Sequence, residues 1–452
     1  MNNDSKAIAD FLHLSRDAIE TVRHAELDGE TVVEITLRKD GRDVCPGCGS
    51  TRTVSKGMCS KRLKHSLFLG TRTVLVVRKR RSRCKDCGLT FTPGDALSGK
   101  RARITRETEA RIVSMLSEYG ATHASVARAV GTSQTEVMEV FDRLVNPRRG
   151  RLPEVLSVDE FYGDGQFAEP YALILMDWGQ RRIVDIIEGR DKRRFSTYLF
   201  NETTPEERAG VRYFVIDMWE PYLDVARHYF PNATVVVDSF HVMENLCRAL
   251  SRIRTRAQAR VPSGSFECHY LKASAKLLFR DDLDPFERAR KDKYTGRWLN
   301  SWGIVQEARA CDADLAAAHD YYLRYKLFNS RRAESLEQAK ARIDAFRTDA
   351  RVAGVPEMLE FMGTLTNWRD QIAESFVAYV GGRRVSNGPM EGQNSQLSKL
   401  MVVSNGFSNF ARFRARAMLC YNKDCGFTPR RHDAKPRKRV GRKRGKYRKK
   451  GT

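Results

Sequence analysis

Three short apolar runs in this chain each end in an aspartate, and that pattern constrains the fold more than any other feature. The run from Val155 ends at Asp159, the run from Val211 at Asp217, and the run from Thr234 at Asp238. Short runs rich in β-branched residues read as buried strands. A carboxylate at the end of such a strand loses water, which is costly unless something positive binds it. One acid at a strand end is common and carries no function by itself. Three of them are followed far downstream by Asn387–Lys399 (NGPMEGQNSQLSK), which reads as a polar-faced helix carrying Glu391. Together they suggest an oxygen-ligand cage for a hard divalent cation. That is the kind of site two-metal phosphoryl transfer requires.

The segments between these runs give an order. Val155–Asp159, Tyr171–Asp177 and Arg182–Glu188 are joined by tight connections and predict an antiparallel meander. A helix at Lys192–Phe200, a strand at Val211–Asp217, a helix at Glu220–Tyr229 and a strand at Ala233–Asp238 follow. Three antiparallel strands, then helix, strand, helix, strand, is the RNase H-like order. That fold places one carboxylate in the first strand and one at the end of the fourth, adjacent in space. The order selects Asp159 and Asp217 as the metal pair. Asp238 is the competing second carboxylate, and Asp238 and His241 are otherwise near-site accessories. Asp177 and Asp185 read as strand-end and surface acids.

Residues 242–384 interrupt this pattern with helical periodicity at Met243–Arg260, Leu299–Cys311, Ala317–Phe328, Glu334–Phe346 and Met358–Val380. They predict an all-α insertion. Trp298, Trp302, Trp368, Tyr321 and Tyr322 read mainly as its core, with room for one exposed aromatic that stacks on a splayed base. Where the chain returns, Glu391, Asn394, Ser395 and Ser398 fall on one helical face at three- and four-residue steps. Glu391 is then the third ligand, Asn394 an accessory and Lys399 a phosphate contact. GFSNFARFRARAML completes the helical layer.

The N-terminal part reads as a metal module. A short helix (Ser5–His13) and a strand (Thr31–Arg38) precede CPGCGS, with Cys45 and Cys48, and RCKDCG carries Cys84 and Cys87. Two CxxC turns place four soft thiolates at the corners of a tetrahedron, which suits one structural zinc ion. Gly49 and Gly88 suit the turns that aim backbone N–H groups at sulfur. The 35 residues between the pairs must hold structure of their own, a hairpin through Thr71–Arg78. The basic run that includes Arg78, Lys79, Arg80 and Arg81 reads phosphate in this setting. Thr105 then caps a helix through Glu118, a second helix ends at Gly131, and Ser133 caps a third through Leu144. This is a helix-turn-helix, with Ser133, Gln134, Thr135 and Glu136 opening the recognition helix.

The fold class is therefore multidomain α+β. A zinc-ribbon-like N-terminal domain (1–98) precedes a helix-turn-helix domain (99–150). An RNase H-like mixed α/β core (151–241 and 385–428) is interrupted by the all-helical insertion (242–384). Residues 429–452 hold thirteen Lys/Arg and one Asp, and read as a basic tail, disordered until it meets DNA. The formal net charge of +24 points to a polyanionic partner. The chain has no run of eighteen apolar residues and no secretory leader, so neither membrane nor export is expected. Paired CxxC motifs suit a reducing compartment.

Taken together, CPGCGS with RCKDCG, the helix-turn-helix, SVDEF, YFVIDMWEPY, FPNATVVVDSFHV, SNGPMEGQNSQLSKL and NGFSNFARFRARAML resemble bacterial insertion-sequence transposases of the "ISL three" family, DDE-type enzymes. The resemblance runs from about Cys45 to Tyr421. It implies cut-and-paste DNA transposition in an RNase H-like domain, with the acidic triad at Asp159, Asp217 and Glu391 and two Mg2+ or Mn2+ ions. It also implies zinc at Cys45, Cys48, Cys84 and Cys87. The expected partners are double-stranded DNA, as terminal inverted repeats and target, and a second copy pairing the ends. The expected place is the bacterial cytoplasm, at the nucleoid. Where related families show Cys-x-x-His after the fifth strand, this chain has Asp238-Ser-Phe-His241, which leaves the role of Asp238 open. Two rival readings are an RNase H-like nuclease that cuts without joining and a DNA-binding regulator with an inactive core.

Overall fold

The computed structural model describes residues 18–38, 43–68, 70–99, 102–163 and 167–422, with scattered positions between 6 and 15. The basic tail lies outside the described residues, as do Ser5, Ala7, Phe11 and His13 of the expected first helix. Lys6 and Ile8–Asp10 of that helix are helical. The chain divides into two compact units, one reaching Arg148 and the other spanning Arg149–Asn422.

The first unit is built on a sheet. β1 (Ile19–Leu27) and β2 (Glu30–Leu37) form a hairpin. Its two turn residues, Asp28 and Gly29, have φ of 52° and 74°, the positive values that tight hairpin turns need. β3 (Thr53–Phe68) and β4 (Thr71–Cys84) form a second hairpin, longer than the Thr71–Arg78 segment suggests. The reason is the alternation of charged residues with buried ones such as Leu63, Leu75 and Val77, which lets basic strands keep one dry face. β4 pairs β2 in parallel, and β5 (Thr90–Phe91) pairs the end of β4. Ile19, Ile35, Leu63, Leu75 and Val77 fill the core beneath.

Three helices complete this unit: α1 (Arg106–Leu116), α2 (His123–Val130) and α3 (Gln134–Leu144). Thr105, Thr122 and Ser133 cap them, each side chain accepting from a backbone N–H three residues on. Gly131 ends α2 at φ 73°. Ile112, Val113, Leu116, Val126, Val130, Val137, Val140 and Phe141 are buried. α1 stops at Leu116, two residues short of the expected Glu118.

The second unit holds a five-stranded mixed sheet. β6 (Val155–Tyr162), β7 (Tyr171–Asp177) and β8 (Arg182–Glu188) form the antiparallel meander. β9 (Tyr213–Ile216) lies parallel to β6, and β10 (Thr234–Val237) lies parallel to β9. The order across the sheet is β10, β9, β6, β7, β8. α4 (Lys192–Glu202), the short α5 (Pro205–Ala209) and α6 (Glu220–Tyr229) connect the strands. Phe195, Leu199, Tyr222 and Val225 pack on Leu156, Leu173, Leu175 and Phe214.

α7 (Ser239–Arg260) starts four residues before the expected Met243 and crosses the boundary expected at residue 241. The insertion is mostly helical, with α8 (Phe266–Ala273), α9 (Ser301–Ala310), α10 (Ala313–Asn329), α11 (Leu336–Arg347), α12 (Pro356–Asn367) and α13 (Arg369–Glu374). It is not all-α. β11 (Arg290–Lys291) pairs with β12 (Trp298–Leu299), and β13 (Tyr379–Val380) pairs with β14 (Arg383–Arg384). The second hairpin turns on Gly381 and Gly382, at φ 56° and 75°, which the helix expected at Met358–Val380 overran. Tyr321, Tyr322 and Trp368 are core as expected, but Trp298 and Trp302 are exposed. α14 (Gly388–Val403) and α15 (Phe410–Tyr421) end the described chain. Asp185 is buried at 3 % exposure rather than a surface acid. It accepts from Tyr198 Oη at 2.8 Å and pairs with Arg414.

Candidate functional site

The strand register brings the three aspartates together. Ser157 is level with Val215 on β9, so two residues further Asp159 comes level with Asp217. Val237 is level with Ile216, so Asp238 comes level with Asp217 on its other side. Adjacent strands lie about 4.8 Å apart, and Asp217 therefore sits between the other two, level with them along the strands. α14 supplies the fourth acid, Glu391, in its first turn.

Hydrogen bonds hold this group in place. Asn394, one turn along α14 from Glu391, donates from Nδ2 to Asp159 Oδ2 at 2.9 Å. The backbone N–H of Glu160 donates to Asp159 Oδ1 at 2.8 Å. Asn387, fully buried ahead of α14, donates to the carbonyl of Val158 at 3.2 Å. His241 stands in the first turn of α7, its Nδ1 3.5 Å from Glu244 Oε2.

The electrostatics are those of crowded, dry carboxylates. Burial pushes Asp159 up to about 6, and the nearby Asp217 and Asp238 push the same way while His241 opposes. Burial pushes Asp217 up to about 6 as well, helped by Glu160. Asp238 is raised by burial, and Glu391 by burial and then by Asp238 and Asp159. All four lose water, and Asp159, Asp217 and Glu391 also gain a like charge; both causes favour the neutral acid. Asp217 Oδ1, Asp238 Oδ2, Glu391 Oε1 and His241 Nε2 are buried with no hydrogen-bond partner. Buried polar atoms are rarely left so. Hard oxygen donors missing a positive partner fit Mg2+ or Mn2+.

Among the described residues, only the four cysteines bring ligand atoms of three or more groups within 4.8 Å of one another. Asp159, Asp217, Asp238 and Glu391 do not form a group that tight. Cys45 Sγ lies 3.5 Å from Cys87 Sγ, and Cys48 Sγ lies 3.6 Å from Cys84 Sγ. A zinc–sulfur bond of about 2.3 Å gives a tetrahedral edge of roughly 3.8 Å, so the cluster has the size zinc needs. Gly49 and Gly88, at φ 73° and 71°, close the two turns. The backbone N–H of Cys87 is foremost in holding the Cys84 thiol down, at about 6. A thiol so placed gives up its proton readily to a metal.

Other expected contacts are placed as follows. Ser133, Gln134 and Thr135 are exposed at the start of α3, but Glu136 is tied to Lys64. Arg81 is exposed, while Arg78 pairs with Glu34 and Arg80 with Glu20. Lys79 is largely buried against Asp95. Lys399 is exposed on α14. Sequence reasoning missed Glu160, Arg190, Tyr222 and Asn387. Arg190 and Tyr222 both bond the carboxylate of Glu160, and Arg190 lies 3.9 Å over the ring of Tyr171. The adjacency of Glu160 to Asp159 was a usable signal; the others depend on tertiary contacts.

Residues 156–417 match the family model of the ISL3 DDE transposases, described as Transposase, and that span is more than half of the chain. The chain belongs to the ISL3 family of transposases. Residues 42–87 of this transposase match the zinc-finger of transposase IS204/IS1001/IS1096/IS1165, a stretch that holds all four cysteines. The transposase for insertion sequence element IS1001 of Bordetella parapertussis is 26% identical over 285 residues, 61% of this chain and 68% of that protein. No helix among the described residues is long and apolar enough to cross a membrane.

Proposed function

We propose that this transposase binds the terminal inverted repeats of an insertion sequence, cleaves the ends and joins them to target DNA by metal-dependent phosphoryl transfer. The observation that carries this reading is the register that sets Asp159 level with Asp217, with Glu391 near enough to feel the charges of Asp238 and Asp159. Asp159, Asp217 and Glu391 would hold two Mg2+ or Mn2+ ions. Asp238 is a further candidate ligand, because its buried Oδ2 is unpaired. Such ions, when bound, supply a polarised phosphate and an activated water or 3′ hydroxyl. The chain's own part is positioning. Asn394 and the Glu160 N–H fix the rotamer of Asp159, and His241 offsets the charge of all four acids. Arg190 and Tyr222 neutralise Glu160, so it does not compete for a cation. The mixed sheet order supports an RNase H-like core.

In this reading Cys45, Cys48, Cys84 and Cys87 hold structural zinc, and α1 to α3 act as a helix-turn-helix that reads the ends through Ser133, Gln134 and Thr135. Arg78, Arg80 and Arg81 contact phosphates, Arg78 and Arg80 trading surface pairs of small worth for DNA. Two copies pair the ends, in the bacterial cytoplasm. A strand-transfer assay on labelled ends with Mg2+ tests this. Joined product is the expected result. Cut but unjoined ends would indicate a nuclease, and binding with neither product a regulator.

A further inference from the structure

The insertion carries a surface that nothing among the described residues covers. Phe286, Tyr294 and Trp298, between α8 and α9, and Trp302, in the first turn of α9, are 93%, 52%, 66% and 40% exposed. Arg288, Arg290, Lys291 and Lys293 lie among them, exposed and without an ion pair among the described residues. Neighbouring cations are paired: Arg280 with Asp282 and Arg297 with Glu307. Trp298 stands opposite Lys291 across the β11–β12 pair, so an aromatic plane and a cation share one face.

The segment is firmly built. Asp292 Oδ1 accepts from the backbone N–H of Tyr294 at 2.9 Å and of Thr295 at 2.8 Å. His269 Nε2 lies 2.9 Å from Asp292 Oδ2, and its ring stacks on Tyr294 with centroids 4.8 Å apart. Asn300 Nδ2 donates to the carbonyls of Asp284, Pro285 and Glu287, which fixes the loop that presents Phe286.

We infer that this hairpin binds unpaired nucleotides of the DNA that the transposase handles. The interleaved cations select a polyanion over an apolar protein surface. The aromatic planes separate the kinds of polyanion. In a duplex the base faces are covered by their neighbours, whereas unpaired bases can stack on exposed rings. An acidic protein offers charge but no planes that need such partners. The inference goes beyond end binding and metal chemistry; it rests on the transposase acting on DNA, not on which acids hold a cation.

The test uses the full chain and two probes, single-stranded oligo-thymidylate and a random-sequence duplex. The double variant F286A/W298A should weaken thymidylate binding at least about tenfold, from the usual worth of base–aromatic stacking. Duplex binding should change by less than about twofold, since phosphate contacts carry it. The single variant Trp298→Phe keeps both planes and should lose little of the binding. The melting temperature of the double variant controls for misfolding, as both side chains are exposed. Unchanged thymidylate binding, or an equal loss on both probes, would overturn the inference. So would loss of self-association alone, which would make a second copy the occupant. Because none of these readings involves strand transfer, failure here leaves the proposed reaction untouched.

Discussion

At the scale of single residues, two positions in the first unit carry clear expectations. Gly131 ends α2 in the left-handed region, and a Cβ there would run into the side chain of Leu67. Gly131→Ala should therefore destabilise by about 1–3 kcal/mol, part backbone strain and part displaced packing. Denaturant melts of the two proteins measure it; a change below about 0.5 kcal/mol would show that Leu67 moves aside freely and the turn tolerates a side chain. Glu136 shows how hydrogen bonds win over burial. Burial works to raise its carboxyl, but bonds from Lys64, Thr132 and Ser133 hold it down at about 2, against an ordinary 4.5. A folded value below the unfolded one gives stability that is present above pH 4.5 and lost as pH falls towards 2. Lys64 is half exposed, so the effect is modest, about 0.5–1 kcal/mol. Glu136→Gln should melt below the wild type at neutral pH, and the gap should close under acid. A gap that holds constant down to pH 3 would contradict this assignment.

Among elements, the zinc module has the most to lose. Its two CxxC turns clamp the base of the β3–β4 hairpin, and structural zinc contributes roughly 10–16 kcal/mol of apparent binding free energy in small modules. The double variant C45S/C87S should lose one zinc per chain and, with it, end recognition, measured by metal content and by end binding. Retained zinc would refute the four-thiolate site. This cluster was fully legible, because ligand type and spacing are local properties of the sequence. So were β7, β8 and α6, whose apolar runs have clear ends; β6 runs three residues past the expected Asp159, and β9 and β10 are shorter than expected. The start of α7 was not legible: Asp238 looks like a strand end and is also the residue before a helix. The β11–β12 pair is two residues long on each side, too short for any periodicity. The burial of Asp185 depends on Arg414, 229 residues away, and no local pattern encodes that. Glu391 was found because its neighbours on α14 are polar, but the bond from Asn394 to Asp159 closes only in three dimensions.

At the scale of the whole molecule, charge and chemistry come apart. Half of the net charge of +24 lies in residues 429–452, with thirteen cations and one anion. Deleting Arg430–Thr452 should leave the melting temperature nearly unchanged, since the segment has few apolar residues to bury. Each phosphate neutralised on a duplex contributes about −0.9 to the slope of log affinity against log salt. If about half of the cations touch phosphate at once, the deletion should flatten that slope by roughly five. A salt series on random duplex, with and without the tail, reads it; an unchanged slope would mean that the tail does not touch DNA. The central claim concerns the acids brought level by the strands of the mixed sheet. It is tested most directly by measuring end cleavage and end binding together for D159N, D217N, D238N and E391Q. Each substitution keeps the shape and removes the charge that would hold a cation. D159N, D217N and E391Q are expected to lose cleavage by at least about a thousandfold while binding labelled ends as the wild type does, with D238N reporting whether a fourth acid takes part. Near-normal cleavage by any of the first three would remove that residue from the metal site. Loss in D238N with activity kept in D217N would contradict the pairing of Asp159 with Asp217 on which the account rests.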